Sequence, residues 1–187
     1  MGAFEIFEPR SEAEMERVWR FNHRIFAEEL GQHARHEDGL LVDKFHHKNI
    51  YRAARPAGSG ELVGLICAHF EAPYSVEEKI GRPVAPPADG GKLGEIRLYA
   101  VAPEHRKGMV SALVGVALLL ELDKRGVSEV VISGISLQKP TYEKLGFAVF
   151  ADPAPGGRAL FYPMRAKLAE VLARLRLEVA KCEKSLN

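Results

Sequence analysis

Glu95-Ile-Arg-Leu-Tyr-Ala-Val-Ala-Pro-Glu-His-Arg-Lys-Gly-Met-Val-Ser-Ala-Leu113 is the stretch whose reading decides the fold. Its first part alternates in β-forming residues and predicts a strand over Gly94–Val101, stopped by Pro103. Its second part opens an apolar run that predicts a helix from about Met109 to Lys124, ended by Arg125-Gly126. A strand thus hands over to a helix through a basic, glycine-bearing turn. Free helix N-terminal amides, the positive end of the helix dipole and the charges of Arg106 and Lys107 meet there. That combination suits a pyrophosphate or a phosphopantetheine phosphate. The alternative is an ordinary strand-to-helix turn with solvated basic residues. A Walker loop is excluded by the missing Gly-Lys-Ser/Thr, and a dinucleotide fingerprint by the missing glycines.

Downstream, Val127–Ile135 is β-branched and reads as a strand, Pro140–Leu145 as a short helix and Gly146–Phe150 as another strand. After a loop at 152–158 and Leu160-Phe161-Tyr162, apolar residues recur at 164, 168, 171, 172, 175 and 179, predicting an amphipathic helix from Met164. Its leucine stripe suits packing on a sheet or against a second copy of the chain, so a homodimer stays open. Upstream, Phe4–Phe7 reads as a first strand. Ser11 and Glu14 form a capping box ahead of Met15, Val18, Trp19, Ile25, Phe26 and Leu30, which predicts one amphipathic helix or a kinked pair. Ile50–Ala54 and Leu62–Phe70 read as a hairpin around Ala57-Gly58-Ser59-Gly60. Residues 81–92 hold three prolines and three glycines and predict a mobile loop that enters directly before the Gly94–Val101 strand and Glu95.

The chain of 187 residues fits one domain, 1–187, and its 47% apolar and 27% charged content is that of a globular protein. A formal charge of +1 supplies no global field for nucleic acid or an anionic membrane, so any anion site is local. Cys67 and Cys182 are the only cysteines, and Cys67 sits in an apolar run, which argues against a disulfide framework and for a reduced cytoplasm. There is no secretory signal pattern and no apolar run long enough for a membrane span.

Val130–Gly134 followed by Lys139-Pro-Thr-Tyr-Glu-Lys-Leu-Gly-Phe147, together with Leu98–Val101, Pro103, Arg106 and the helix after it, resembles the GNAT family of N-acyltransferases over about residues 93–150. The resemblance implies an α/β fold with a central mixed, mostly antiparallel sheet flanked by helices, here with an extra C-terminal helix. It also implies acyl-CoA, acetyl-CoA first, as co-substrate, with no metal, and a small-molecule primary amine as acceptor. The family's phosphate loop runs Gln/Arg-x-x-Gly-x-Gly/Ala. Counted from Arg106 the glycine positions hold Met109 and Ser111, and counted from His105 they hold Gly108 and Val110, so side chains narrow the room for a pyrophosphate. Donor binding is expected at Val101, Arg106, Lys107, Gly108, Met109, Val110, Ser111 and Ala112. Phe21-Asn-His-Arg-Ile-Phe-Ala-Glu-Glu-Leu-Gly31, Gly39-Leu-Leu-Val-Asp-Lys-Phe45 and Gly60-Glu-Leu-Val-Gly-Leu65 are similar to the GNAT-related autoinducer and N-acyl amino acid synthases, which take acyl chains from acyl carrier protein. Asn22, Gln32 and His46 depart from that pattern.

Aminolysis of a thioester needs a base for the amine, donors for the oxyanion and an acid for the leaving thiolate. Strict alternation puts Glu95, Arg97, Tyr99 and Val101 on one strand face. Glu95 is the candidate base, or a salt-bridged acid. Arg97 is placed to pair with Glu95 or with a substrate carboxylate. The family motif makes Tyr142 the acid, against a packing role for its ring, and a backbone N–H such as that of Val101 the oxyanion donor. His33, His36, His46 and His47 match no compact zinc pattern. Cys67 and His69 share a strand face and read as packed side chains rather than a nucleophile and its base. A GNAT-shaped module that binds acyl-CoA without turnover is the reading of a different class.

Overall fold

The computed structural model describes residues 4–106, 108–156 and 159–185. Its strands are β1 (Phe4–Phe7), β2 (Ile50–Pro56), β3 (Gly64–His69), β4 (Lys92–Val101), β5 (Val127–Ile135), β6 (Ala148–Val149), β7 (Ala154–Gly156) and β8 (Ala159–Lys167). Its α-helices are α1 (Glu12–Asn22), α2 (Ser75–Ile80), α3 (Val110–Lys124), α4 (Lys139–Lys144) and α5 (Leu168–Ser185). The strands form one sheet in the order β1-β2-β3-β4-β5-β8-β6, with β7 paired to β8. Among the described residues every pairing is antiparallel except that of β4 with β5. This is the expected mixed, mostly antiparallel sheet with helices on it and a C-terminal helix. None of the described helices is long and apolar enough to cross a membrane.

Most elements follow from local sequence. Ser11 caps α1 through the Glu14 N–H while the Glu14 carboxylate takes the Ser11 N–H. The helix continues as a π-helical turn over His23–Glu29, so the long apolar run is one helix with a widened end. α3 is apolar almost all round, and Val110, Val114, Leu118 and Leu122 are fully buried between β2–β4 and α5. Burying side chains of that size contributes about 1.5–3 kcal/mol each. Gly64 and Gly115 allow the close packing, because a Cβ at Gly64 would lie 2.6 Å from Val110 and one at Gly115 2.8 Å from Leu175.

Four expectations need correction. The helix predicted from Met164 begins at Leu168, since Met164 and Ala166 alternate with Arg165 and Lys167 along β8 and bury on the sheet. Helix α2 lies in a stretch without a predicted element, stopped by Gly81 in the left-handed conformation. The loop at 81–92 has little regular structure but is fastened rather than mobile. Val84 is buried with its N–H on Glu77, Ala85 O accepts from Arg165, and Asp89 binds Ser128 and the Gly91 N–H. Finally, strict alternation along β4 fails at Leu98, which has a φ of 50°. The register with β3 slips by one residue there, from Cys67↔Arg97 to Leu65↔Ala100. Glu95 and Arg97 therefore face α2, whereas Tyr99 and Val101 turn to the α3 side.

Candidate active site

β4 and β5 pair in parallel only from Lys92 to Glu95, with Glu95 opposite Val131. Beyond that point β5 continues on β8 and β4 on β3, so the two strands open a V in the middle of the sheet. The edge of β4 that lines this V lacks a ladder partner from Ile96 to Val101. Its outward backbone N–H groups are then the candidate oxyanion donors.

On one side of the V stands the N-terminus of α3. Met109 precedes it without a side-chain cap, and Leu113 N to Met109 O at 2.9 Å is its first intrahelical bond. The amides of Val110, Ser111 and Ala112 have no intrahelical acceptor. Gly108, Met109 and Ser111 lie toward the surface, whereas the side chains of Val110 and Ala112 are buried in the core, so these last two can offer a ligand only their backbone. Arg106 donates from Nε to Val101 O at 3.0 Å and is paired with Glu29, Nη2 to Oε1 at 2.6 Å. Lys107 lies outside the described residues. Gly134 makes room for Tyr142, since a Cβ there would stand 2.9 Å from the tyrosine ring. Two tyrosines meet on this side. Tyr99 Oη is spent on Ser111 O at 2.8 Å, whereas among the described residues the Tyr142 hydroxyl has no hydrogen-bond partner. Burial pushes the Tyr142 phenol up to about 12, which keeps it protonated and able to donate.

On the other side stands a closed network of charge. Glu95 is 1% exposed and its carboxylate accepts from Ser75 N (2.7 Å), Val76 N (2.8 Å) and Ser75 Oγ (2.7 Å). The carboxylate thus caps α2 from outside that helix. His69 Nε2 lies 3.2 Å from Glu95 Oε2, off the line that a hydrogen bond needs, and His69 Nδ1 is 3.0 Å from Glu71 O. Arg97 approaches Glu95 at 3.7 Å, donates to Ser75 Oγ and pairs with Asp43 at 2.6 Å. Burial alone would raise the Glu95 pKa, but His69, Arg97 and the two groups of Ser75 outweigh it and hold the carboxyl below its ordinary range. Asp43 is likewise lowered against its own burial, by Arg97, the Phe45 amide and Asn49. Beside Glu95 and Arg97, sequence reasoning missed Asp43, Ser75 and His69 as parts of this network. The acidic motif residue Asp43 was the one with a signal. Cys67 lies on the same face with its thiol pushed up by burial, and both cysteines are free.

No protein-family model matches the chain, and no curated protein does. Solved structures do. The chain superposes on the CoA-dependent acyl-homoserine lactone synthase BjaI bound to MTA with a TM-score of 0.75 at 19% identity, over 96% of this chain and 90% of that one. TofI, in a ternary complex with an inhibitor and MTA, gives 0.72 at 17% identity over 97% and 100%. FeeM, an N-acyl amino acid synthase from uncultured soil microbes, gives 0.66 at 15% identity over 93% and 96%. The fold is therefore the GNAT-like fold that these synthases share.

Proposed function

We propose that this chain is an N-acyltransferase that moves an acyl group from a pantetheine thioester to a primary amine, within one domain. The observation that carries the reading is the V between β4 and β5, with uncapped helix amides and Tyr142 on one side and an ionised carboxylate on the other. In the reaction, the amine nitrogen attacks the thioester carbon from the Glu95 side. The C–N bond forms and the C–S bond breaks. The ammonium proton passes to Glu95, by way of water because the carboxylate is enclosed, and the thiolate takes a proton from Tyr142. Backbone N–H groups of β4 near Val101 hold the oxyanion. Donor phosphates lie on the turn from Arg106 to Ala112, and Arg97 orders the acceptor side through Asp43 and Ser75.

Acetyl-CoA is the simplest donor. The likeness in fold to BjaI, TofI and FeeM favours the finer variant, an acyl-homoserine lactone or N-acyl amino acid synthase with a longer acyl-CoA or acyl carrier protein. One observation favours a third reading, an acyl-CoA-binding module without turnover: Glu95 is saturated with partners and held ionised. The decisive experiment is thiol release by the purified protein from acetyl-CoA, medium-chain acyl-CoA and acylated carrier protein, each with a pooled set of amines. Amine-dependent thiol release supports the transferase and its pattern names the donor. Stoichiometric donor binding without release supports the module.

A further inference from the structure

Acid–base roles for Glu95 and Tyr142 leave one buried titratable group unused: His69 of β3, fully enclosed and paired across the ladder with Glu95. Its two ring nitrogens differ. Nδ1 lies 3.0 Å from Glu71 O, a carbonyl that can only accept, so Nδ1 carries the proton of the neutral ring. Nε2 is then bare. Among the described residues nothing donates to it, and it faces Glu95 Oε2 at 3.2 Å, off the hydrogen-bonding line. Two acceptors this close turn their lone pairs aside, whereas one proton between them makes a charge-assisted hydrogen bond. The carboxylate is open on the same side. Oε1 has two donors, Ser75 Oγ and the Val76 amide, which use both its lone pairs. Oε2 has one, the Ser75 amide, with Arg97 3.7 Å away. A lone pair therefore remains on the oxygen that Nε2 faces.

The charges around His69 favour a proton there. Asp43, in the segment before β2, and Glu95 carry two negative charges against the one positive charge of Arg97, and all three side chains are largely buried. A proton on Nε2 brings this enclosed set to neutrality. Lys48, from the same segment as Asp43, opposes it, but it is partly exposed and donates to Glu71 O and Pro73 O. On α2, Glu77 and Lys79 have opposite signs, and on β3 the Cys67 thiol, pushed up by burial, stays neutral. The imidazole is stacked on Tyr74, with an interplanar angle of 8° and 5.4 Å between centroids, and the Phe45 ring stands 5.0 Å away. Aromatic faces at these distances suit a cation.

We propose that the proton lost by the acceptor amine comes to rest on His69 Nε2, with Glu95 Oε2 handing it on. The proposal rests on the acyltransferase reading, and His69 acts in it through Glu95, as a positioning residue that touches no substrate. In the step, an N–H bond of the ammonium breaks, the proton passes over water to Oε2, and the new O–H bond breaks as Nε2–H forms. After the amide leaves, the proton returns to solvent by the same route. Glu95 then need not be the final base, a role for which a carboxylate held below its ordinary range is poorly suited. Imidazole, by contrast, takes up a proton near neutral pH.

Two measurements test this. The first needs no turnover. With ¹⁵N-labelled histidine, long-range ¹H–¹⁵N spectra are followed from about pH 5 to 9, and His69 is assigned by its absence in His69→Gln and by its contacts with the Tyr74 ring. The expected result is an Nδ1–H tautomer in the neutral ring, proton uptake at Nε2 within that range, and a midpoint lower by about one pH unit or more in Glu95→Gln. An Nε2–H tautomer, no uptake, or an unchanged midpoint overturns the proposal. Should Glu95→Gln fail to fold, the tautomer and uptake of the parent decide. The second measurement is the pH dependence of kcat/KM with a competent donor. In the parent it falls on the acid side with the midpoint of His69. In His69→Gln that limb is absent and kcat is about a hundredfold lower, whereas loss of a packing histidine would leave the limb in place. The same limb in both proteins overturns the proposal. If no donor releases thiol, the transferase reading fails, while the titration still decides whether His69 and Glu95 share a proton.

Discussion

The two sides of the V are built from opposite materials. On the α3 side the groups offered to a ligand are idle among the described residues: helix amides without intrahelical acceptors and a Tyr142 hydroxyl without a partner. On the α2 side the carboxylate that the chemistry calls for is bound by the Ser75 and Val76 amides and the Ser75 hydroxyl, with His69 and Arg97 beside it. An idle group costs stability and is free to act, whereas a saturated group supports the fold and acts less readily. Glu95 is therefore expected to matter first as a structural residue, and Tyr142 as a chemical one.

Removing Glu95 gives the largest effect. Glu95→Ala leaves Arg97 short of a charge and two helix amides without an acceptor in a buried site. Breaking such a buried group typically costs about 3–5 kcal/mol. For a chain of this size that lowers Tm by about 10 °C in differential scanning calorimetry. An unchanged Tm together with lost activity would invert the comparison and make Glu95 a purely chemical residue.

Tyr142→Phe tests the other side. It keeps the ring packed against Gly134 and Phe147 and removes only the hydroxyl. Turnover should fall about a hundredfold, with donor affinity and Tm near those of the parent. Single-turnover kinetics with the competent donor measure it, and an unchanged rate would transfer the protonation of the thiolate to water.

The charge network also sets a pH dependence. Glu95 and Asp43 both have folded pKa values below the ordinary carboxylate range. A depressed carboxylate contributes stability that is complete above its unfolded value, 4.5 for Glu95, and is lost as pH falls through the lower folded one. Urea midpoints should accordingly hold down to about pH 5 and drop below it. In Glu95→Ala the drop should be shallower. An equal slope in both proteins would place the acid sensitivity elsewhere.

How much of this was legible in the sequence follows from how each element is specified. β5 is rich in β-branched residues, α3 is an apolar run stopped by Arg125-Gly126, and α1 carries an apolar period behind a capping box, so their positions could be read directly. α2 has six residues between Tyr74 and Gly81, too few for a period to develop, and part of its N-terminal cap comes from Glu95, twenty residues on. In β8, the spacing of Met164 and Leu168 fits both a helix and a strand, and only burial on the sheet separates them. The bulge at Leu98 was hidden for a different reason: leucine carries no signal for a positive φ, so alternation assigned Tyr99 and Val101 to the wrong face. Glu95, Arg97 and Tyr142 could thus be picked out of the sequence as candidates, whereas Asp43, Ser75 and the arrangement of the group could not.

The smallest effect is expected at Arg106, which, like Tyr99 on the α3 side, is already engaged. Its guanidinium holds Val101 O and the Glu29 carboxylate, at the end of the π-helical turn. A donor phosphate can recruit Arg106 only by displacing Glu29, so the pair is a competitor of the ligand. Both side chains are partly exposed, at 43% and 32%, and such pairs contribute about 0–1 kcal/mol. Glu29→Gln should therefore tighten donor binding, by up to about fivefold, while Arg106→Ala weakens it. Calorimetric titration of CoA into the two variants and the parent reads both changes. If Glu29→Gln weakens binding instead, Glu29 orients Arg106 for the phosphate rather than competing for it, and the α3 side is as preassembled as the α2 side. If neither variant changes the affinity, the phosphates lie on the helix amides alone.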